Sequence, residues 1–202
     1  MRLAILGAGG HGRVLAESAA AIGWTVSFFD DRQIGEVDGW TVSGKAADII
    51  GALCDGVAVG IGDNRTRLNW IKQLSEQGFL VATIVDPSAI VSPSAHIDSG
   101  SFIARGAVVS TGAIIGRGCI VNTAASVDHD CRLADGVHLS PGVHLSGTVG
   151  IGECSWIGTG SSVRNNLNIG HNVIVGVGSA VVCDIGNSQV VAGVPARVLE
   201  KS

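Results

Sequence analysis

The chain has no tyrosine, four phenylalanines and four tryptophans in 202 residues, so aromatics make up only 4%. A core built on aromatic mass is therefore excluded, and repetition of small and aliphatic residues has to replace it. Charged residues amount to 15% and the formal net charge is −4. That mild acidity provides no footprint for nucleic acid or an anionic membrane. No apolar run approaches membrane-spanning length, and the N-terminus runs straight into a glycine motif rather than a signal-peptide cleavage site. The five cysteines, Cys54, Cys119, Cys131, Cys154 and Cys183, include no close pair of the kind a zinc knot or redox couple needs. An odd, scattered set of thiols suits a reducing compartment, and a cytoplasmic location is expected.

What the chain has is a six-residue beat. From Val85 to Val181 every sixth position is Val, Ile or Leu without a slip. Even if a third of all residues were aliphatic, chance would give this on the order of once in a hundred million. Four residues after each anchor stands a second inward residue, mostly small, such as Ala107, Cys119, Cys131 or Ser161. Three after the anchor, Gly, Asn or Asp predominate, which tolerate positive φ at a tight corner. Short strand, corner, short strand predicts a triangular coil of eighteen residues, and hence a left-handed parallel β-helix of between five and six coils over residues 85–186. A C-terminal tail covers 187–202.

Residues 1–84 break the beat. Apolar strands are expected at Leu3–Leu6, Thr25–Phe29, Val57–Gly62 and Phe79–Ile84, with helices at Arg13–Ala21 and near Thr66–Gln77. The β-α-β-(α)-β-α-β order describes a small parallel sheet of Rossmann type. The fold class is thus an α/β Rossmann-like N-terminal domain joined to an all-β left-handed β-helix of hexapeptide repeats. Gly7, Gly9 and Gly12 are spaced as a phosphate-binding turn, and Asp30 stands eighteen residues beyond Gly12, placed to meet a ribose or a base. About 84 residues supply one mononucleotide half, so a nucleotide carrying something other than a second nucleoside fits better than NAD. The plainer alternative is that these glycines only make a tight turn. His11, inside that turn, could reach a diphosphate or an attached sugar, or be an ordinary loop histidine.

Within the β-helix, His129 falls at an outward corner with Asp130 beside it. A carboxylate next to an imidazole can fix its tautomer and raise its basicity, as a general base requires. His171 occupies the same slot of a later hexad but is followed by Asn172, so a corner histidine alone is unremarkable and Asp130 could be only a turn residue. Gly147 lies eighteen residues past His129, one coil along, where its amide is a candidate oxyanion donor. His138 lies on the next face. Thr159 and Val177 are eighteen apart and stack on one corner, where they could line a groove for an extended ligand. A single prism offers no concavity, so such a groove needs a second subunit, and because a threefold prism packs face to face around a threefold axis a homotrimer with sites between subunits is expected.

Taken with Gly62-Asp-Asn-Arg65, Asn122-Thr123, Val127-Asp-His-Asp-Cys131, His138 and Ala192-Gly-Val-Pro-Ala-Arg197, the chain resembles the bacterial nucleotide-4-amino-sugar N-acetyltransferases along its whole length. It is also similar to sialic acid O-acetyltransferases and GDP-perosamine N-acetyltransferases. The resemblance implies transfer from acetyl-CoA, a co-substrate, to the C4 amine of a 4-amino-4,6-dideoxy sugar on UDP, GDP or dTDP. It makes His129 the general base and Asp130 its orienting partner. It places acetyl-CoA contacts at His138, Gly147, Thr159 and Val177, and nucleotide-sugar contacts at Gly9, Gly10, His11, Asp30, Asp31 and Gly62. No metal is implied. Two rivals stand beside this reading: a trimeric zinc β-helix of the carbonic anhydrase kind, disfavoured because no two of the six histidines are eighteen apart, and a non-catalytic scaffold with a nucleotide-sensing domain. The base of the nucleotide and the stereochemistry of the sugar are not encoded in any motif.

Overall fold

The computed structural model describes residues 1–199, so the expected tail is seen except for its last three positions. The N-terminal sheet begins with β1 (Arg2–Leu6), which is followed by α1 (Gly10–Ala21) and β2 (Thr25–Phe29). A hairpin of β3 (Gly35–Val37) and β4 (Trp40–Gly44) comes next, then β5 (Gly56–Val59) and α2 (Asn64–Glu76). The strand order is β3-β4-β2-β1-β5. All pairs are parallel except β3–β4. The sheet is therefore mixed, and the expected helix after β2 is replaced by this hairpin and one 3-10 stretch, Ala46–Gly51. Asp38 and Gly39 both have positive φ, 49° and 85°, the backbone that a two-residue hairpin turn requires. The expected strand at Phe79–Ile84 shrinks to a single bridge, Val57–Val81. Its end is diverted, because Ile84 already pairs with Phe102 in the first coil.

From Ile84–Val85 to Ala180–Val181, seventeen two-residue strands (β6–β22) wind a left-handed parallel β-helix. Every pairing joins residues eighteen apart, as between His138 and Trp156. The anchors from Ile103 to Val181 are all buried in one continuous core with the small inward residues. The slot three after the anchor has positive φ without a break from Gly100 to Gly178, including Ala124, Thr148 and Cys154, which are not turn residues by type. The inward serines do more than fill space. Ser155 Oγ donates to Gly170 O (2.7 Å) while accepting from Val173 N (2.9 Å), so the corner carbonyls and amides of adjacent coils are satisfied inside the prism. Cys119 and Cys131 play the same part through sulfur, donating to Ala134 O and Ser146 O. At the far end β23 (Val190–Ala192) and β24 (Arg197–Val198) form an antiparallel pair, and Ala196 folds back over the last coil to donate to Ala180 O.

Three faces and three corners result. The first face carries Phe102, Ile120, His138, Trp156 and Ile174; the second Val108, Ser126, His144, Ser162 and Ala180; the third Ile114, Arg132, Gly150 and Asn168. Backbone rungs stack the corners. Corner A, between the first and second faces, runs Arg105, Thr123, Pro141, Thr159; corner B, between the second and third, runs Thr111, His129, Gly147; corner C runs Ser99, Arg117, Asp135, Glu153, His171. The N-terminal sheet sits on the first face, where Phe102 and Ile120 join Leu3, Leu15 and Phe28 in one core. Helix α2, started by Asp63 accepting from Thr66 N (2.8 Å), lies along corner C. There Leu68 and Ile71 fill the space that a Cβ on Gly100, Gly118 or Gly136 would occupy. The first coil is tied to α1 by buried Asp86, which accepts from Ser18 Oγ (2.6 Å) and lies 3.5 Å from Arg105 Nε.

Candidate functional site

Strand β1 ends in the glycine turn, and close packing dictates those glycines. A Cβ on Gly12 would overlap the Gly7 carbonyl, and one on Gly60 would overlap Gly12 Cα, so α1 can begin against β1 and β5 only because all three lack side chains. A Cβ on Gly9 or Gly10 would point into open space. Helix α1 has no side-chain cap and no acidic residue in its first turn. Its first-turn amides therefore face outward at the positive end of the helix dipole, an arrangement that suits an anion. Beside them is a cavity of about 520 Å3 whose lining includes Gly7, Gly9, Asp30, Asp31, Gly60, Ile61, Thr66 and Trp70. Asp30 spends its carboxylate on the turn itself. Oδ2 accepts from Ala8 N (2.7 Å) and Oδ1 from Arg32 N (2.7 Å) and Gln33 N (3.0 Å). Burial pushes its carboxyl up, but these amides prevail and hold it below the usual aspartate range. Asp31 accepts from Ala46 N (3.1 Å).

His11 and His138 meet where the N-terminal sheet covers the first face. Their ring centroids are 6.4 Å apart, His11 stands edge-on to Phe102, and His138 stands edge-on to Trp156. Burial and then the Arg67 charge push the His11 imidazole down to about 4. Burial, Arg67 and His11, in that order, push His138 down to about 3. Both rings are neutral near pH 7. The Asn122 amide donates to His138 Nε2 (3.3 Å). His11 Nε2 is buried and has no hydrogen-bond partner among the described residues, which leaves it available to a bound ligand.

His129 belongs to a different place, corner B. Its Nδ1 lies 2.9 Å from Asp130 Oδ2, and its own amide donates to Asp128 Oδ1 (2.7 Å). The hydrogen bond that Asp130 accepts leads the influences that raise the imidazole above its ordinary 6.5, and the charges of Asp128 and Asp130 add to it. With Nδ1 engaged, Nε2 is the nitrogen left to take a proton. The ring lies on Gly147: a Cβ there would collide with Nε2 and Cε1. Gly147 N has no hydrogen-bond partner among the described residues, while its carbonyl accepts from Asn166 N. The bare imidazole nitrogen thus lies over the side of Gly147 where a Cβ would stand. His171, at corner C, pairs instead with the neutral Asn172 amide (2.7 Å).

Known proteins can now be set beside this geometry. The acetyltransferase domain of PglB from Neisseria gonorrhoeae, in complex with acetyl coenzyme A, is 45% identical, with a TM-score of 0.96 over 98% of each chain. The chain belongs to the nucleotide-4-amino-sugar N-acetyltransferase family. PerB from Caulobacter crescentus, in complex with CoA and GDP-perosamine, is 36% identical, with a TM-score of 0.95 over 99% of this chain and 98% of that one. The PglD N-terminal domain family matches residues 2–74. WeeI from Acinetobacter baumannii, 24% identical with a TM-score of 0.91, shares the fold. No curated protein matches the chain. The family's combination of sheet and hexapeptide prism agrees with the architecture expected from the repeat.

The expected site residues therefore fall into three groups. Gly9, Gly10, Asp30, Asp31 and Gly62 surround or adjoin the glycine turn with His11, and His138 stands with them rather than with Thr159 and Val177. Those two stack on corner A, where Val177 is 69% exposed. His129, Asp130 and Gly147 share corner B, opposite the face that carries the N-terminal sheet. Among the described residues no group of three or more His, Cys, Asp or Glu is disposed to hold a metal. Sequence reasoning missed Arg67 and Trp70. Arg67 was visible only as a cation at i in an i, i+4, i+7 buried stripe with Ile71 and Leu74. Trp70 lines the cavity from a helix position that no motif marks.

Proposed function

We propose that the chain moves the acetyl group of acetyl-CoA to the C4 amine of a nucleotide-linked 4-amino-4,6-dideoxy sugar, with His129 as general base. The observation that carries this reading is the His129–Asp130 pair packed over Gly147, where any side chain would collide with the ring, within a chain whose relatives were solved with acetyl-CoA and with CoA and GDP-perosamine. The amine attacks the thioester carbonyl, its proton passes to His129 Nε2, and the oxyanion lies toward Gly147 N. As the carbonyl re-forms, the C–S bond breaks, and the coenzyme A thiolate leaves and takes up the proton. Much of the acceleration would come from holding amine and thioester together.

Residues 1–84 would hold the nucleotide sugar through Gly9, Gly10, His11, Asp30, Asp31 and Gly62. The prism of 85–186 would hold acetyl-CoA through His138, Gly147, Thr159 and Val177. Corner B lies across the prism from the first face, so a sugar held by one chain's N-terminal half would meet His129 of another. This topology supports a homotrimer with three composite sites. Five unpaired cysteines support a reducing, cytoplasmic setting. The test is a screen of UDP-, GDP- and dTDP-linked 4-amino sugars with acetyl-CoA, following free thiol and the mass of the sugar. Stoichiometric thiol release with an acetylated sugar in one of the three sets is expected. Failure of all three to react would sink the assignment.

A further inference from the structure

At the join between the two halves is a buried cation that acetyl transfer does not use. Arg67 is 1% exposed and has no ion-pair partner among the described residues. Its fork is spent on five oxygens. Nε donates to Gly118 O (2.7 Å), Nη1 to Ile61 O (3.1 Å) and Gly62 O (2.9 Å), and Nη2 to Asn64 Oδ1 (2.8 Å) and Gly136 O (3.0 Å). Gly118 and Gly136 are eighteen apart, on successive coils of corner C. Asn64 extends the row to the next coil by donating to Cys154 O (3.0 Å). Arg67 and Asn64 together thus fasten the loop after β5, whose Gly60 and Ile61 line the cavity beside the glycine turn, to three consecutive coils.

Stability alone does not account for an arginine here. A guanidinium taken from water without an opposite charge carries a heavy desolvation penalty, and an apolar residue packed beside Ile71 and Leu74 would avoid it. What the arginine provides is geometry: five donors in one rigid plane, fixing two carbonyls of the loop against two of the prism. We infer that Arg67 is a positioning residue for the nucleotide sugar, setting the Gly60–Ile61 wall of the cavity relative to the β-helix. This rests on reading that cavity as the nucleotide site. Its charge also contributes, after burial, to keeping His11 and His138 neutral, so the ring in the glycine turn meets a ligand as a hydrogen-bonding partner and not as a second cation.

The test titrates wild type, Arg67→Lys and Arg67→Met with UDP, GDP and dTDP, and separately with acetyl-CoA, alongside melting curves. A lysine keeps the charge but cannot span five acceptors. Arg67→Lys is expected to fold, to bind the preferred nucleotide at least about tenfold more weakly, and to bind acetyl-CoA within about twofold of wild type. In turnover, KM for the nucleotide sugar should rise while KM for acetyl-CoA stays in place. Should Arg67→Met fail to fold, the lysine variant decides alone. Unchanged nucleotide affinity in a folded Arg67→Lys protein would overturn the inference and leave Arg67 a structural rivet. Absence of binding to any of the three nucleotides by wild type would overturn the nucleotide reading as well.

Discussion

The role proposed for His129 rests on what its two nitrogens face. Asp130 engages Nδ1, so the imidazole is more basic than an isolated one and offers Nε2. The consequence is a pH profile. A base whose pKa is raised above 6.5 is lost to protonation as pH falls through that higher value, so kcat/KM should decline on the acid side of a limb lying above 6.5. The substrate amine adds its own ionisation, which substitution in the protein leaves alone. Asp130→Asn should therefore move the acid limb to lower pH, and the displacement between the two profiles reads the imidazole. Superimposable profiles would remove Asp130 from any role on His129. This pair was legible in the sequence because hexad spacing put both residues on one corner, and because His171 with Asn172 provided an internal comparison lacking the charge. Asp30 was less legible. Its place after β2 suggested a ribose contact, whereas its oxygens brace Ala8, Arg32 and Gln33, a backbone demand that no side-chain pattern reveals.

At the scale of elements, the corner is the working unit, since each stacks residues eighteen apart about one strand spacing from one another. Gly147 lacks a side chain because His129 lies over it from the coil below. Gly147→Ala should displace the imidazole, lowering kcat by about two orders of magnitude while the melting temperature barely moves, because misplacement of a reacting group by about 1 Å is that expensive. Activity near wild type in Gly147→Ala would mean that the ring is free to swing and that its resting place on corner B is incidental. The prism was readable because one rule, inward anchor and positive-φ slot, is imposed at every turn, even where Ala124, Thr148 and Cys154 must satisfy it. The N-terminal sheet was read only in part. Its parallel strands are apolar runs and were found, but the β3–β4 hairpin is half exposed and lacks such runs, leaving Asp38-Gly39 as its one clear mark.

For the whole molecule, the separation of the glycine turn from His129 is decisive. The N-terminal sheet is held to the first face and corner C by Asp86, Arg67 and the Arg65 Nη2 bond to Asn172 Oδ1 (2.6 Å), across the prism from corner B. Sites shared between subunits can be restored by mixing two inactive chains. His129→Ala lacks the base. Gly9→Asp, whose Cβ meets nothing, places a carboxylate where a diphosphate would lie. Refolded together at equal amounts, they should recover up to about a quarter of wild-type activity, the statistical share of junctions with both sound parts. No recovery would place each complete site within one chain. In the sequence, assembly rested on a prism's lack of concavity and on the face-to-face packing of threefold prisms; the N-terminal sheet on the first face, with His129 on the opposite corner, would give it a direction.

Acetyl transfer in a single turnover, with wild type and His129→Ala each saturated with acetyl-CoA and the accepted nucleotide-linked amino sugar, isolates the contribution of the base. His129→Ala is expected to bind both substrates and keep its assembly, yet to form the acetylated product about two to four orders of magnitude more slowly. Product formation at the wild-type rate by the alanine variant would contradict it.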